Sequence, residues 1–127
     1  MSIKYTSHTA EVLRDIQNRI DNALEICGGT AERHAKENLT RNRSVKTDTL
    51  RGSIAHEQKD KSTESIGTSV KYAPYVELGH HQQPGRYVPQ IGKRLVRDWV
   101  PAKPYLRPAV EDHRDEYERI IKGELSE

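Results

Sequence analysis

Phenylalanine is absent from the 127 residues, and tryptophan, cysteine and methionine each occur once. With nine Ile, eight Val and eight Leu as the main apolar stock, the chain can build only a small core. A single cysteine, Cys27, excludes an internal disulfide and fits a reducing compartment. Nothing beside it in sequence would lower its pKa, so it reads as a small buried residue rather than a nucleophile. No apolar run approaches the ~20 residues that span a bilayer. The start, Met1-Ser2-Ile3-Lys4-Tyr5, lacks the apolar stretch of a signal peptide. The expectation is a chain made and kept in a cytoplasm, where the sequon match Asn38-Leu39-Thr40 is empty. No sign of charge dominates either: 31% of residues are charged, yet the net charge is +2. Disorder couples low hydrophobicity to high net charge. One folded domain over 1–127 is therefore expected, with loops that order against partner subunits.

What is present begins with a helical face: Val12/Leu13, Ile16, Ile20, Ala23/Leu24, Cys27, Ala31, Ala35 and Leu39. Steps of three and four predict a long helix from about His8 to Leu39. Thr9 is placed to cap it, and Glu11 sits in the first turn where the dipole favours a carboxylate. Gly28-Gly29 costs helix stability without breaking phase, which suggests one helix with a soft point, or two helices joined there. Thr40 to Thr49 is polar and basic and reads as a loop. Ser53–Lys59 and Ser62–Val70 are candidate strands around a turn near Lys59-Asp60-Lys61, with alternation too weak to set the register. One face packed on the long helix and one partly wet would account for that weakness.

Two stretches concentrate aromatic, aliphatic, proline and small residues: Tyr72-Ala73-Pro74-Tyr75-Val76-Glu77-Leu78-Gly79 and Pro104-Tyr105-Leu106-Arg107-Pro108-Ala109. They look like seams where the fold closes. The first is a short helix or a strand end, stopped by Gly79. Pro108 suits the first position of a terminal helix with Val110, Tyr117, Ile120/Ile121 and Leu125 on one face. Between the seams, His80 to Gly85 is turn-rich, and a long arm of about 80–103 is expected to protrude.

That arm carries the candidate binding residues. Arg86, Lys93, Arg94 and Arg97 interleave with Tyr87 and Trp99, continuing to Lys103 and Arg107. Aromatics beside cations suit a subunit interface, with Trp99 and Tyr87 as anchors. They also suit a nucleic-acid-binding module over 85–107, whose contact would be electrostatic and sequence-blind. The near-neutral total charge and the acidic C-terminal segment favour the interface. Glu77, alone among apolar neighbours, calls for a partner, and Arg51 or Arg107 are the cations at hand. His80 and His81, with Glu77 and His113, lack metal-ligand spacing, because adjacent side chains in extended backbone point to opposite faces. No Ser/His/Asp setting and no phosphate-cradling glycine loop is present, so no catalysis, cofactor or metal is expected.

The two seams, preceded by Thr47-Asp48-Thr49-Leu50-Arg51-Gly52-Ser53-Ile54, resemble the head–tail joining proteins (neck, or tail components) of long-tailed bacteriophages and prophages. Order, spacing and length match over nearly the whole chain. Asp48 replaces the usual Gly, and Tyr105 the usual Phe. On this likeness Leu50, Arg51, Ser53, Tyr72, Tyr75, Glu77, Gly79, Pro104, Tyr105, Pro108 and Ala109 are structural motif positions. The resemblance implies a non-catalytic virion-assembly protein, present in the host cytoplasm during assembly and at the head–tail junction afterwards. Its partners would be head-completion, connector and tail proteins. Its own copies would close a ring compatible with a hexamer, and it could stay monomeric in solution. The fold implied is α+β: a small antiparallel sheet on a long N-terminal helix, with a C-terminal helix and the protruding loop.

Overall fold

The computed structural model describes residues 7–42, 47–81, 87–89, 93–94 and 99–126. The organising element is α1, Thr9–Asn42, 34 residues without a break and about 50 Å long. It runs straight through Gly28-Gly29, so the two-helix alternative falls away. Thr9 is the first helical residue rather than the cap: its amide donates to Ser7 Oγ at 3.4 Å, and His8 C=O accepts the first intrahelical bond from Val12 N. The buried face begins only at Ala23 and continues through Gly28, Ala31, His34, Ala35, Asn38 and Leu39. Of the earlier apolar positions, Val12, Leu13 and Ile16 are exposed and Ile20 is half-buried.

Thr47–Ser53 forms a second helix, α2, where a loop was expected through Thr49. Tertiary burial overrides its weak local signal: Leu50 and Ile54 at its end are almost fully enclosed. Arg51 Nη1 donates to Thr40 Oγ1 at 2.8 Å, tying α2 to the last turns of α1. A hairpin follows, β1 (Ala55–Asp60) antiparallel to β2 (Thr63–Gly67), with His56 opposite Ile66 and Gln58 opposite Glu64. Ser62 N donates to Asp60 Oδ1 at 2.9 Å and closes the turn. The register shifts between Gln58 and Asp60.

The hairpin's face toward α1 explains the weak alternation. It is lined by His56, Gln58 and Glu64 as well as Ile66; Gln58 and His56 face Asp21 and Glu25 on the helix, and Glu64 pairs with His56. Gln58 Nε2 donates to Asp21 Oδ1 at 2.9 Å, and Gln17 Nε2 donates to the turn carbonyl of Lys61 at 2.8 Å. The bonds from Gln58 and Gln17 hold the Asp21 carboxyl below its ordinary pKa.

The first seam is helical: α3, Ala73–Leu78, with Pro74 in its first turn. Gly79 ends it at φ 76°, an angle natural only to glycine, and its amide bonds back to Tyr75 C=O at 2.9 Å. His80–His81 then forms β3 rather than a turn, paired antiparallel with β6, Trp99–Val100. Nested inside this pair are β4, Tyr87–Val88, and β5, Lys93–Arg94. The terminal segment is two helices instead of one. Leu106–Glu111 is α4 and Arg114–Leu125 is α5, so Pro108 stands inside the first helix and not at its start. Among the described residues no helix is long and apolar enough to cross a membrane.

The core gathers Ala35, Leu39, Leu50, Ile54, Ala73, Tyr105 and Ala109, with Ile66, Val70, Tyr72, Val76 and Leu106 packed at its edge. Tyr105 is its largest fully buried side chain. In a chain without Phe, one tyrosine ring fills the space between α1, α3 and α4. The architecture is α+β, a small antiparallel hairpin against a long helix, completed by the C-terminal helices.

Candidate functional site

Three constellations organise the described surface and interior. The first joins the two seams. Glu77, on the last turn of α3, reaches the start of α4: its Oε1 accepts from Leu106 N at 2.7 Å and from Tyr105 N at 3.4 Å. The carboxylate therefore caps the free amides of a helix that has no side-chain cap of its own. Within the chain, the partner of Glu77 is this helix terminus and not the expected Arg51 or Arg107. Arg107 lies 3.6 Å from Glu111, and Arg51 bonds Thr40. The α4 amides face Glu77 directly.

Around this cap the chain is stitched closely. Asn38, buried in α1, donates to Tyr105 C=O at 3.2 Å, and Arg41 Nη2 donates to Asn38 Oδ1 at 2.6 Å. Asn42 Nδ2 reaches the carbonyls of Lys103 and Pro104. Lys103 N donates to Val76 C=O at 2.8 Å. Burial pushes the Tyr105 hydroxyl up to about 12, helped by Glu77, and its O–H points to Ala73 C=O at 3.5 Å. Other motif positions serve the same closure. Ser53 Oγ donates to Leu50 C=O at 2.7 Å and lies against Thr68, while Ala73 and Ala109 let backbones approach. Tyr75 and Leu78 are 55% and 71% exposed on α3. Pro104 is exposed as well.

The second constellation lies where the hairpin crosses α1. His56 Nδ1 and Glu64 Oε2 are 2.8 Å apart, and both side chains are largely enclosed. They rest directly on Gly28: a Cβ there would fall 2.4 Å from His56 Nδ1 and 2.5 Å from Glu64 Oε2. The close approach requires glycine. Glu25 Oε1, one turn earlier on the helix, stands 3.8 Å from His56 Nε2. The Glu64 hydrogen bond, then Glu25 and Glu32, hold the His56 pKa above its ordinary value against desolvation. The second oxygen of Glu64, Oε1, is buried without a hydrogen-bond partner. Beside it a small cavity of about 120 Å³ is lined by Cys27, Gly28, Glu64, Ile66, Val110 and Tyr117. Cys27 is half-buried there, and desolvation with the nearby Glu64 and Glu116 raises its thiol pKa, the opposite of an activated nucleophile.

The third lies where α5 meets α1. His34 and His113 stack with ring centroids 3.5 Å apart and planes 3° from parallel. Glu116 Oε1 is 2.9 Å from His34 Nε2, which holds the Glu116 carboxyl below its ordinary pKa. Arg33 stands 4.0 Å from the same oxygen. Ligand atoms of His34, His113 and Glu116 lie within 4.8 Å of one another. Parallel stacked rings, however, do not aim their in-plane lone pairs at a common point, and the arginine opposes a cation.

Of the arm residues singled out by sequence, Arg86 and Arg97 lie outside the described residues. Tyr87, Lys93, Arg94 and Trp99 are described at the backbone, in β4, β5 and β6. None of the His56, Glu64 or Glu25 cluster was legible beforehand. Its signal was indirect: a glycine pair inside an unbroken helix, and a hairpin whose inner face is polar. Comparison with protein-family models, with curated proteins and with solved structures gives no match.

Proposed function

We infer that this chain is a structural virion-assembly protein that joins a phage head to its tail, acting by self-association and docking into a ring. The motif resemblance supports this function, and the carrying observation is the split within the first seam. In Tyr72–Gly79, Ala73 and Glu77 are committed to the fold, while Tyr75 and Leu78 of the same short helix stay exposed. The base of the arm is tied to that helix, through Lys103 N to Val76 C=O. Exposed apolar side chains beside a firmly rooted arm are what a docking face requires. Val12, Leu13 and Ile16 add an uncovered apolar ridge on the projecting end of α1. The partners proposed are further copies of this chain and the connector and tail proteins that stack on it, in the host cytoplasm and then at the junction.

Disrupting the gene in the phage or prophage that encodes it is expected to leave filled heads and free tails unjoined. Replacing Arg86 through Trp99 by a short flexible spacer is expected to do the same. Because Leu78 is exposed, Leu78→Asp should leave the circular dichroism of the purified protein unchanged and still lower the yield of joined particles. Normal virions from all three would refute the function. DNA retention that falls steeply with salt, together with normal joining, would instead favour the nucleic-acid-binding alternative.

A further inference from the structure

We propose that Glu25, His56 and Glu64 make a binding site for a divalent zinc-class cation that clamps the hairpin to the central helix. Ligand atoms of the three lie within 4.8 Å of one another, drawn from α1, β1 and β2. The imidazole is already arranged as a metal ligand's usually is. Glu64 holds Nδ1 at 2.8 Å, which fixes the ring and leaves Nε2 as the coordinating nitrogen. Across from Nε2 stands Glu25 Oε1 at 3.8 Å. That is long for a hydrogen bond and close to the spacing of two ligands on one ion. Bonds of 2.0–2.2 Å at a tetrahedral angle put the ligand atoms about 3.4 Å apart. Glu25 is 76% exposed, so its carboxylate is free to close the remaining distance.

A further observation bears on the charge at this site. Glu64 is more than nine-tenths buried, and its Oε1 has no hydrogen-bond partner, so the interior holds a carboxylate that is short of positive charge. Two carboxylates thus flank one imidazole, Glu64 at Nδ1 and Glu25 at Nε2, a charge set that a divalent ion balances better than a single proton. Glu25 and His56 would be direct ligands, Glu64 the buried group that orients the ring, and water or a partner's side chain would complete the shell. Gly28 matters here because any side chain at that position would displace the ring.

The test is zinc titration of chelator-stripped protein, read by calorimetry and by competition with a chromophoric chelator. The His34→Gln/His113→Gln double variant is expected to retain one zinc per chain. Glu25→Gln and Glu64→Gln should each weaken it by about 10–100-fold, and His56→Gln should abolish it. Glu25 is exposed, so that variant stays informative if a buried substitution unfolds the chain. In long-range proton–nitrogen spectra of the wild type, zinc should move His56 Nε2 more than Nδ1. Binding unaffected by Glu25→Gln, or a His56 ring that does not respond to zinc, would overturn the proposal. An absence of stoichiometric binding would do so too, and would mean that the ring is balanced by a proton alone.

Discussion

Alanine at a helix-interior glycine is ordinarily stabilising, by about 1 kcal/mol. At Gly28 the opposite sign is expected, and the structure supplies the reason. The new Cβ would lie 2.4 Å from His56 Nδ1, 2.5 Å from Glu64 Oε2 and 2.9 Å from His56 Cγ. These are not the ends of free side chains, because the imidazole and the carboxylate are bonded to each other and wedged between hairpin and helix. Because the Cβ meets both members of the pair, relief requires moving the strands and parting the pair. Overpacking of this kind costs about 1–3 kcal/mol, and loss of a hydrogen bond to a charged group about 1.5–3 kcal/mol. Against the propensity gain, the net is a destabilisation of about 1.5–5 kcal/mol. For a chain of this size that lowers Tm by on the order of 10 °C. The neighbouring position is the control. At Gly29 the nearest atom is His56 Nε2 at 4.0 Å, an ordinary contact, so Gly29→Ala should stabilise by up to about 1 kcal/mol. Urea and thermal unfolding followed by circular dichroism, in chelator so that no metal contributes, measure both. Equal signs for the two substitutions, or a Gly28→Ala protein as stable as wild type, would show that the hairpin does not sit on Gly28.

Glu77→Ala removes the acceptor for the first amides of α4 and should cost about 1–2 kcal/mol in urea unfolding, with Glu77→Gln milder because its amide oxygen can still accept. Tyr105→Phe should change stability by less than about 1 kcal/mol: the ring fills the core, while the hydroxyl bond to Ala73 C=O is long at 3.5 Å. A large loss would mean that the hydroxyl matters more than its geometry allows. The Glu116 carboxyl titrates below its ordinary 4.5 in the folded protein, chiefly through His34. Its contribution is therefore complete above that value and is lost as pH falls through the depressed folded pKa. Glu116→Gln should lower Tm near neutrality and flatten the acid limb of the stability curve, and an acid limb identical to wild type would count against the His34 bond.

Local pattern was enough for several elements. Steps of three and four residues announced α1, the turn residues near Asp60 announced the hairpin, and Gly79 announced the end of α3. These are short-range effects, set by backbone sterics and by which face must leave water. The failures are equally physical. α2 has little helical character of its own and exists because Leu50 and Ile54 are drawn into the core. The break at Asp112-His113, where α4 gives way to α5, is invisible to periodicity. The apolar face of α1 starts at Val12 in the sequence, yet Val12, Leu13 and Ile16 are exposed and burial begins at Ala23, which only the packing partners show.

The same division holds for the sites. That Glu77 needs a partner follows from a carboxylate among apolar neighbours. That the partner is a helix terminus rather than an arginine depends on where α4 begins relative to α3. The amino-acid order alone determined an α+β chain with a long leading helix, a hairpin and two proline-aromatic seams, because those rest on spacing within a dozen residues. Tertiary structure alone decided that Gly28, His56, Glu64 and Glu25 meet. Their contact spans 39 positions of chain, and no local rule links a glycine in a helix to a histidine on a strand until the two elements are stacked.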